Sequence, residues 1–341
     1  MKVLYLYSGE RKKKFSGRIN IDYPDTQFYG LNHLVEFGID AEYKEVNNKI
    51  LGFRTKHLFS YFLTCGYDIV FGPSILFMMF FKKIFRPERK FILLNIGIAR
   101  TISSDKKGFK AKIVKWFLEE TDAIVCLSQA QAAYLENKFA GLKGKLFFVP
   151  LGVDAAYYKP EFENRGSYIL SVGRDNGRDY KTVIDTAKLM PEEEFHIVCS
   201  RRNIEEIKEF PDNVKIFYDI PIYELNRKYH EAKLLLLLTH EDNFSDGSDC
   251  SGQTVLLDAM ASGLPVVASR KKYLKDYVQE GVDILSVDFY NSADVREKIK
   301  LLREDTLRRK IAVNARKKIE DFFSTREMAR GLAAVFEKAH E

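Results

Sequence analysis

Cysteine and proline are scarce in these 341 residues, with four of the first and nine of the second. Cys65, Cys126, Cys199 and Cys250 lie far apart and none forms a CxxC pair. That spacing argues against a disulfide framework and against a cysteine zinc site. Long apolar runs are missing too. The longest, Phe71 to Phe81, holds eleven residues and contains Gly72 and Pro73, so it does not span a bilayer. The start, MKVLYLYSGE, turns polar too soon for a signal-peptide core. The expected setting is soluble, reducing and cytoplasmic.

Several chemistry-bearing motifs are also lacking. No GxGxxG follows a first strand, which speaks against a nicotinamide dehydrogenase. GLKGKL at Gly141–Leu146 has neither the spacing nor the hydroxyl of a P-loop. HExxH, GxSxG and DxD do not occur, and the six histidines are scattered. His240-Glu241-Asp242 sets a histidine beside two carboxylates, a pattern more often loop polarity than a metal site. No metal is expected.

What is present is a globular composition, 46% apolar and 30% charged, in a length suited to two domains. The net charge of +6 is uneven. Residues 1–150 carry 24 Lys/Arg and 14 Asp/Glu, a net of +10; the remaining 30 and 34 give −4. Such asymmetry suggests that the first half meets something anionic.

Short apolar runs at Val3–Tyr7, Ala41–Val46, Asp68–Phe71, Phe91–Asn95, Ala123–Leu127 and Leu146–Pro150 read as strands, with a helix at Thr26–Phe37. The pattern restarts with strands at Tyr168–Val172, Phe195–Cys199, Val214–Tyr218, Lys233–Thr239, Pro265–Ala268 and Ile284–Val287. Helices fit Tyr180–Leu189, Ile222–Glu231, Gln253–Ala261, Tyr273–Gln279 and Ala293–Leu302, and the end is helical with a break near Ser324. Alternation of this length predicts an α/β protein with two Rossmann-like, doubly wound parallel-sheet domains facing across a cleft. The expected divisions are 1–153 and 154–323, with a helix of about 324–341 packing back on the first. In such sheets ligands bind at the carboxyl ends of strands.

Two segments carry chemistry. In Ser251–Val267, SGQTVLLDAMASGLPVV, the Ser-Gly turn opens a helix whose free N–H groups suit a phosphate. Asp258, further along that helix, is a carboxylate able to accept ribose hydroxyls. The plainer reading is a helix–turn–strand whose Asp is solvated. In Ser171–Lys181, SVGRDNGRDYK, Gly173 ends a strand and Arg174, Arg178 and Lys181 follow. Cations there can clamp a diphosphate, although a solvated loop paired with Asp175 and Asp179 would read alike.

The sequence resembles glycosyltransferase family 4, retaining nucleotide-sugar transferases of the GT-B fold. The resemblance rests on FVPLGVD (Phe148–Asp154), VGR (Val172–Arg174) and DAMASGLPVV, and covers nearly the whole chain. It implies a hexosyltransferase acting on a UDP- or GDP-linked sugar, with a hydroxyl of a glycan or lipid-linked molecule as acceptor. Polysaccharide or glycolipid biosynthesis is the implied setting, and no cofactor is implied. By resemblance Arg174 binds the donor diphosphate, Arg178 or else Lys181 is the second cation, and Asp258 holds the ribose. Cys250 stands where the family has its first glutamate, and Asp249 or the Ser251, Gly252, Gln253 and Thr254 backbone would take over. Gly9 after the first strand matches a glycine-rich loop, and Asn95 stands where relatives place a histidine near the sugar. A non-catalytic sugar-nucleotide or membrane-glycan binding protein, or a sugar-nucleotide epimerase, is the alternative that Cys250 leaves open.

The positive half is concentrated in residues 82–115, with eleven Lys/Arg against Glu88 and Asp105. Phe109, Ile113, Trp116 and Phe117 share one helical face, while Lys106, Lys107, Lys110, Lys112 and Lys115 crowd the rest. A basic amphipathic helix suits an anionic membrane surface, and a core-facing stripe with solvated lysines would read the same way. Peripheral association with the inner face of the membrane is therefore an expectation. Nucleic acid is not, since no recognised motif accompanies the charge.

Overall fold

The computed structural model describes residues 1–8, 23–46, 58, 60–98, 102, 109–160, 162, 166–242, 244 and 249–341. Gly9, Lys106 and Lys107 lie outside the described residues, as does the side chain of Lys110. The chain divides into two compact units. One contains residues 1–8, Asp25–Gly152 and Thr325–Glu341; the other contains Val153–Ser324.

The first unit holds a six-stranded parallel sheet in the order β2-β1-β3-β4-β5-β6. These are β1 (Lys2–Ser8), β2 (Asp40–Val46), β3 (Ile69–Gly72), β4 (Lys90–Asn95), β5 (Ala123–Cys126) and β6 (Leu146–Phe148). The inner strands read as continuous apolar runs because both faces of a parallel sheet are covered. The edge strand β2 carries Asp40, Glu42, Lys44 and Glu45, and that charge guards an exposed edge.

The helix expected over Thr26–Phe37 is instead two 3-10 pieces, Asp25–Phe28 and Leu31–Phe37. Tyr29 (φ 51°) and Gly30 (φ 76°) interrupt them with left-handed backbone. Buried hydroxyls of β1 set this turn, since Tyr7 donates to the Phe28 carbonyl at 2.8 Å and Tyr5 to the Tyr29 carbonyl at 3.2 Å. A Cβ on Gly30 would stand 2.8 Å from the Ala329 nitrogen, so the C-terminal helix Thr325–His340 also needs glycine there. That helix lies on this unit's own sheet, where Phe336 meets Tyr5 and Phe71 edge-on at 6.4 and 5.3 Å.

The second unit repeats the plan in the order β12-β11-β10-β7-β8-β9. Its strands are β7 (Tyr168–Val172), β8 (Glu194–Cys199), β9 (Val214–Tyr218), β10 (Ala232–Leu237), β11 (Val266–Ser269) and β12 (Leu285–Val287). The chain winds outward from β7 in both directions, so β7 and β10 flank the switch point. Helix Gln253–Ala261 packs beside β10, fully buried from Leu256 onward. Asp305–Phe322 covers it, with Arg316 donating to the Ala155, Tyr158 and Ala261 carbonyls. The segment expected as a helix at Tyr273–Gln279 is a 3-10 turn, Lys272–Asp276.

Candidate active site

The carboxyl end of β7 runs into Gly173, and the chain returns through Gly177–Asp179 to pair with the end of β10. Arg178 bridges Thr239, the Asp179 N–H donates to the Leu238 carbonyl at 3.0 Å, and the His240 N–H to the Gly177 carbonyl at 2.9 Å. This pairing turns Arg178 inward, leaving it 6% exposed. Its Nε and Nη1 are buried and make no hydrogen bond. A guanidinium carries five donors and is always charged, so such a group is primed for an anion.

Two glycines make room for it. A Cβ on Gly173 (φ 155°) would fall 2.0 Å from Arg178 Nε, and one on Gly252 (φ 94°) would fall 2.6 Å from Nη1. Gly252 is the left-handed cap of helix Gln253–Ala261. Arg178 therefore lies against a helix N-terminus, whose free N–H groups and dipole also favour negative charge. Ser251 Oγ donates to Asp175 Oδ1 at 2.7 Å, joining this turn to the loop after β7. Tyr273 donates to the Ser251 carbonyl at 3.1 Å, and its own phenol is held protonated chiefly by burial.

Thus Gly173, Arg178, Ser251 and Gly252 come together, with Gln253 and Thr254 opening the helix that follows; Asp249 and Cys250 precede the turn. The other expected cations stand apart. Arg174 is exposed and pairs with Asp219 at 3.3 Å, and Lys181 is exposed and bonds Asp185 at 2.6 Å, one turn along its own helix. Lys181 is thus paired within its own helix.

Asp258 is buried rather than solvated. Burial pushes its carboxyl well above the usual carboxylate range; a hydrogen bond with Tyr158 works against this and the Asp154 charge adds to it. Its Oδ1 has no hydrogen-bond partner. Asn95 belongs to the first unit and is wholly buried. Its Oδ1 accepts from the Gly97 and Ile98 N–H groups at 3.2 and 3.0 Å, and its Nδ2 faces Cys126 Sγ at 3.8 Å. The polar atoms of Asn95 are thus engaged in shaping the strand end.

Sequence reasoning passed over Lys271. It is 5% exposed and lies 3.6 Å from Asp242. Burial lowers its pKa, while Asp242 foremost, then Cys250 and Asp175, raise it. The available signal was Arg270-Lys271-Lys272 at the carboxyl end of a strand. Tyr158 gave no comparable signal. Among the described residues, no group of three or more His, Cys, Asp or Glu is placed to hold a metal.

The helix expected to present a basic apolar face is Phe109–Glu120. Its expected stripe divides: Phe117 is buried, as are its neighbours Val114 and Leu118, whereas Ile113 and Trp116 are exposed beside Lys112 and Lys115, and the side chain of Phe109 lies outside the described residues. Phe80 of the helix Met79–Phe85 lies 6.5 Å from Trp116, ring to ring, and is exposed with Ile84, Phe85 and Phe62.

The chain is similar to several known proteins. Residues 178–334 match the glycosyl transferase-like family. Spore coat protein SA of Bacillus subtilis (strain 168) is 24% identical over 252 residues, 65% of this chain and 66% of that protein, so just under two thirds of that relative is spanned. The crystal structure of Anabaena HepE in complex with UDP-glucose superposes with a TM-score of 0.74 at 15% identity, covering 99% of this chain and 100% of that one. Sucrose-phosphate synthase from Thermosynechococcus elongatus does so with a TM-score of 0.71 at 14% identity, covering 99% and 98%. Residues 178–334 thus resemble the glycosyl transferase-like family, and almost the whole chain has the two-sheet GT-B fold of these structures.

Proposed function

We propose that this chain is a retaining, family 4 glycosyltransferase that moves a hexose from a UDP- or GDP-linked donor to a hydroxyl of a glycan or lipid-linked acceptor. The observation that carries the reading is the buried guanidinium of Arg178, with two unbonded nitrogens between Gly173 and the Gly252 helix start. The donor diphosphate fits there, and HepE, which shares the fold, is known with UDP-glucose. Asp258 holds the ribose, and Arg174 is a second, outer cation for the diphosphate.

In the reaction the bond from the anomeric carbon to the diphosphate oxygen breaks, and a bond to the acceptor oxygen forms on the same face. The acceptor proton passes to the departing diphosphate. Arg178 and the helix N-terminus stabilise the charge that builds on that leaving group, so the reading calls for no metal. Donor binding should be measured by calorimetry across UDP- and GDP-sugars, with transfer followed by release of the nucleoside diphosphate. Wild-type protein should bind one nucleotide class, and Arg178→Met should weaken it by roughly a hundredfold, as loss of a charge-assisted, desolvated contact does. Undiminished affinity in Arg178→Met would overturn the assignment.

The acceptor side is read as membrane-facing. Phe80, Ile84, Phe85 and Trp116 form an exposed apolar patch, and Lys112 and Lys115 supply positive charge near it. Such a surface suits the headgroup region of an anionic bilayer. Co-sedimentation with vesicles should require anionic lipid and weaken with salt. Equal binding to neutral vesicles in high salt would remove this part of the reading.

A further inference from the structure

Thr239, just beyond β10, ties three neighbouring strand ends together. Its backbone bridges Arg178 on the β7 side, and its N–H donates at 3.0 Å to Ser269 Oγ, the last residue of β11. Two residues past Ser269 stands Lys271. Tyr273, two residues further, is bonded to the Ser251 carbonyl, beside the glycine that Arg178 touches. Lys271 thus precedes by two residues the tyrosine bonded to the turn that Arg178 touches, near enough to Cys250 and Asp175 to respond to their charge.

The ammonium of Lys271 is buried but loosely paired. Its contact to Asp242 is 3.6 Å, whereas Lys318 meets Asp283 at 2.6 Å and Lys233 meets Glu193 at 2.7 Å in the same unit. A charge-assisted hydrogen bond of this kind is normally below about 2.9 Å. An ammonium has three donors, and desolvation without a close partner is costly. Asp242 is also drawn off, accepting from the Lys272 N–H at 3.3 Å.

We propose that Lys271 is a second buried cation of the anion site, resting on Asp242 in the free protein and turning to the diphosphate of a bound sugar nucleotide. This rests on the donor reading above and adds a residue to it. Lys271 would answer to the diphosphate rather than to the nucleoside, because it lies beside the same turn as Arg178.

The test is calorimetric titration of wild type, Lys271→Gln, Lys271→Arg and Asp242→Asn with the nucleoside diphosphate and monophosphate of whichever base wild type binds. Lys271→Gln should lose roughly tenfold or more for the diphosphate and much less for the monophosphate, with Lys271→Arg recovering most of it. Asp242→Asn, which frees the ammonium, should bind the diphosphate several-fold more tightly. Equal losses for both nucleotides, or unchanged affinity in Lys271→Gln, would overturn the role of Lys271 while leaving the donor site standing. If Lys271→Gln does not fold, Asp242→Asn decides: unchanged or weaker diphosphate binding refutes the proposal. Wild type that binds no nucleotide would instead defeat the donor reading itself.

Discussion

Ser251 donates a 2.7 Å hydrogen bond to Asp175 Oδ1, across 76 residues of sequence. The same carboxylate oxygen accepts the Gly177 N–H at 2.8 Å. One aspartate therefore shapes the loop after β7 and fastens it to the turn that starts helix Gln253–Ala261. Arg178 is the side chain that this joint encloses.

Removing the Ser251 hydroxyl tests the joint. Ser251→Ala should cost about 1–2 kcal/mol of stability, the ordinary result of leaving a part-buried hydrogen bond unmade. Its larger effect should be on donor affinity, because the two glycine-bearing segments are no longer held together around the guanidinium. Chemical denaturation alongside nucleotide titration separates the two effects.

Gly252→Ala attacks the same place sterically. The new methyl would stand 2.6 Å from Arg178 Nη1 and 3.0 Å from Leu237 Cδ1, at a backbone φ of 94°. Left-handed backbone alone costs a non-glycine residue about 1 kcal/mol or more. Arg178 must then shift, so the variant should lose donor affinity about as fully as Arg178→Met while remaining folded in a thermal melt. Wild-type affinity would show that the guanidinium position is not what the donor reads.

The strands could be read from sequence because a buried parallel strand is a short apolar run whatever else happens. Gly173, Gly252 and Arg178 were visible for a similar local reason: glycine and cation punctuate a strand end and a helix start. What stayed hidden depends on distant partners. Lys271 looks like one of three solvated cations, yet it is buried near Asp242, 29 positions earlier in the chain. Asp258 looks like a helix-surface carboxylate until Tyr158, one hundred positions earlier, closes over it. The Thr26–Phe37 stretch has helical spacing, but Tyr5 and Tyr7 take the carbonyls of Tyr29 and Phe28 and break it. Asn95 offers an amide at a strand end, and its own next turn consumes it.

His33 gives the first unit a pH-dependent contact. Asp25 foremost, then Glu36, lift its imidazole from 6.5 to about 8, against a lowering by burial. Glu36 is the nearer at 2.8 Å against 3.5 Å, but Asp25 is the better shielded. A raised histidine stabilises the fold fully below pH 6.5, and that contribution fades as pH rises through 8. Its size is at most about 2 kcal/mol, reduced toward about 1 because the ring is 29% exposed. Denaturation at pH 6 and pH 9 should show that loss in wild type and not in His33→Gln.

Asp258 works with the opposite sign from an ordinary paired carboxylate. Its folded pKa is raised by burial, so the folded protein holds a proton that the unfolded chain gives up. Stability is then greatest at acid pH and declines as pH climbs from the usual carboxylate value toward the folded one. Asp258→Asn removes the titration and keeps the shape, so it should melt higher than wild type at neutral pH and lose the slope. Tyr158→Phe should melt lower, since it takes away a hydrogen-bond partner of the buried Asp258 carboxyl. If Asp258 holds the donor ribose, the more stable Asn variant should bind donor more weakly, because an amide cannot release a proton to become the two-oxygen acceptor that ribose hydroxyls take. A gain in stability with no loss of donor affinity would make Asp258 a packing residue and remove it from the site.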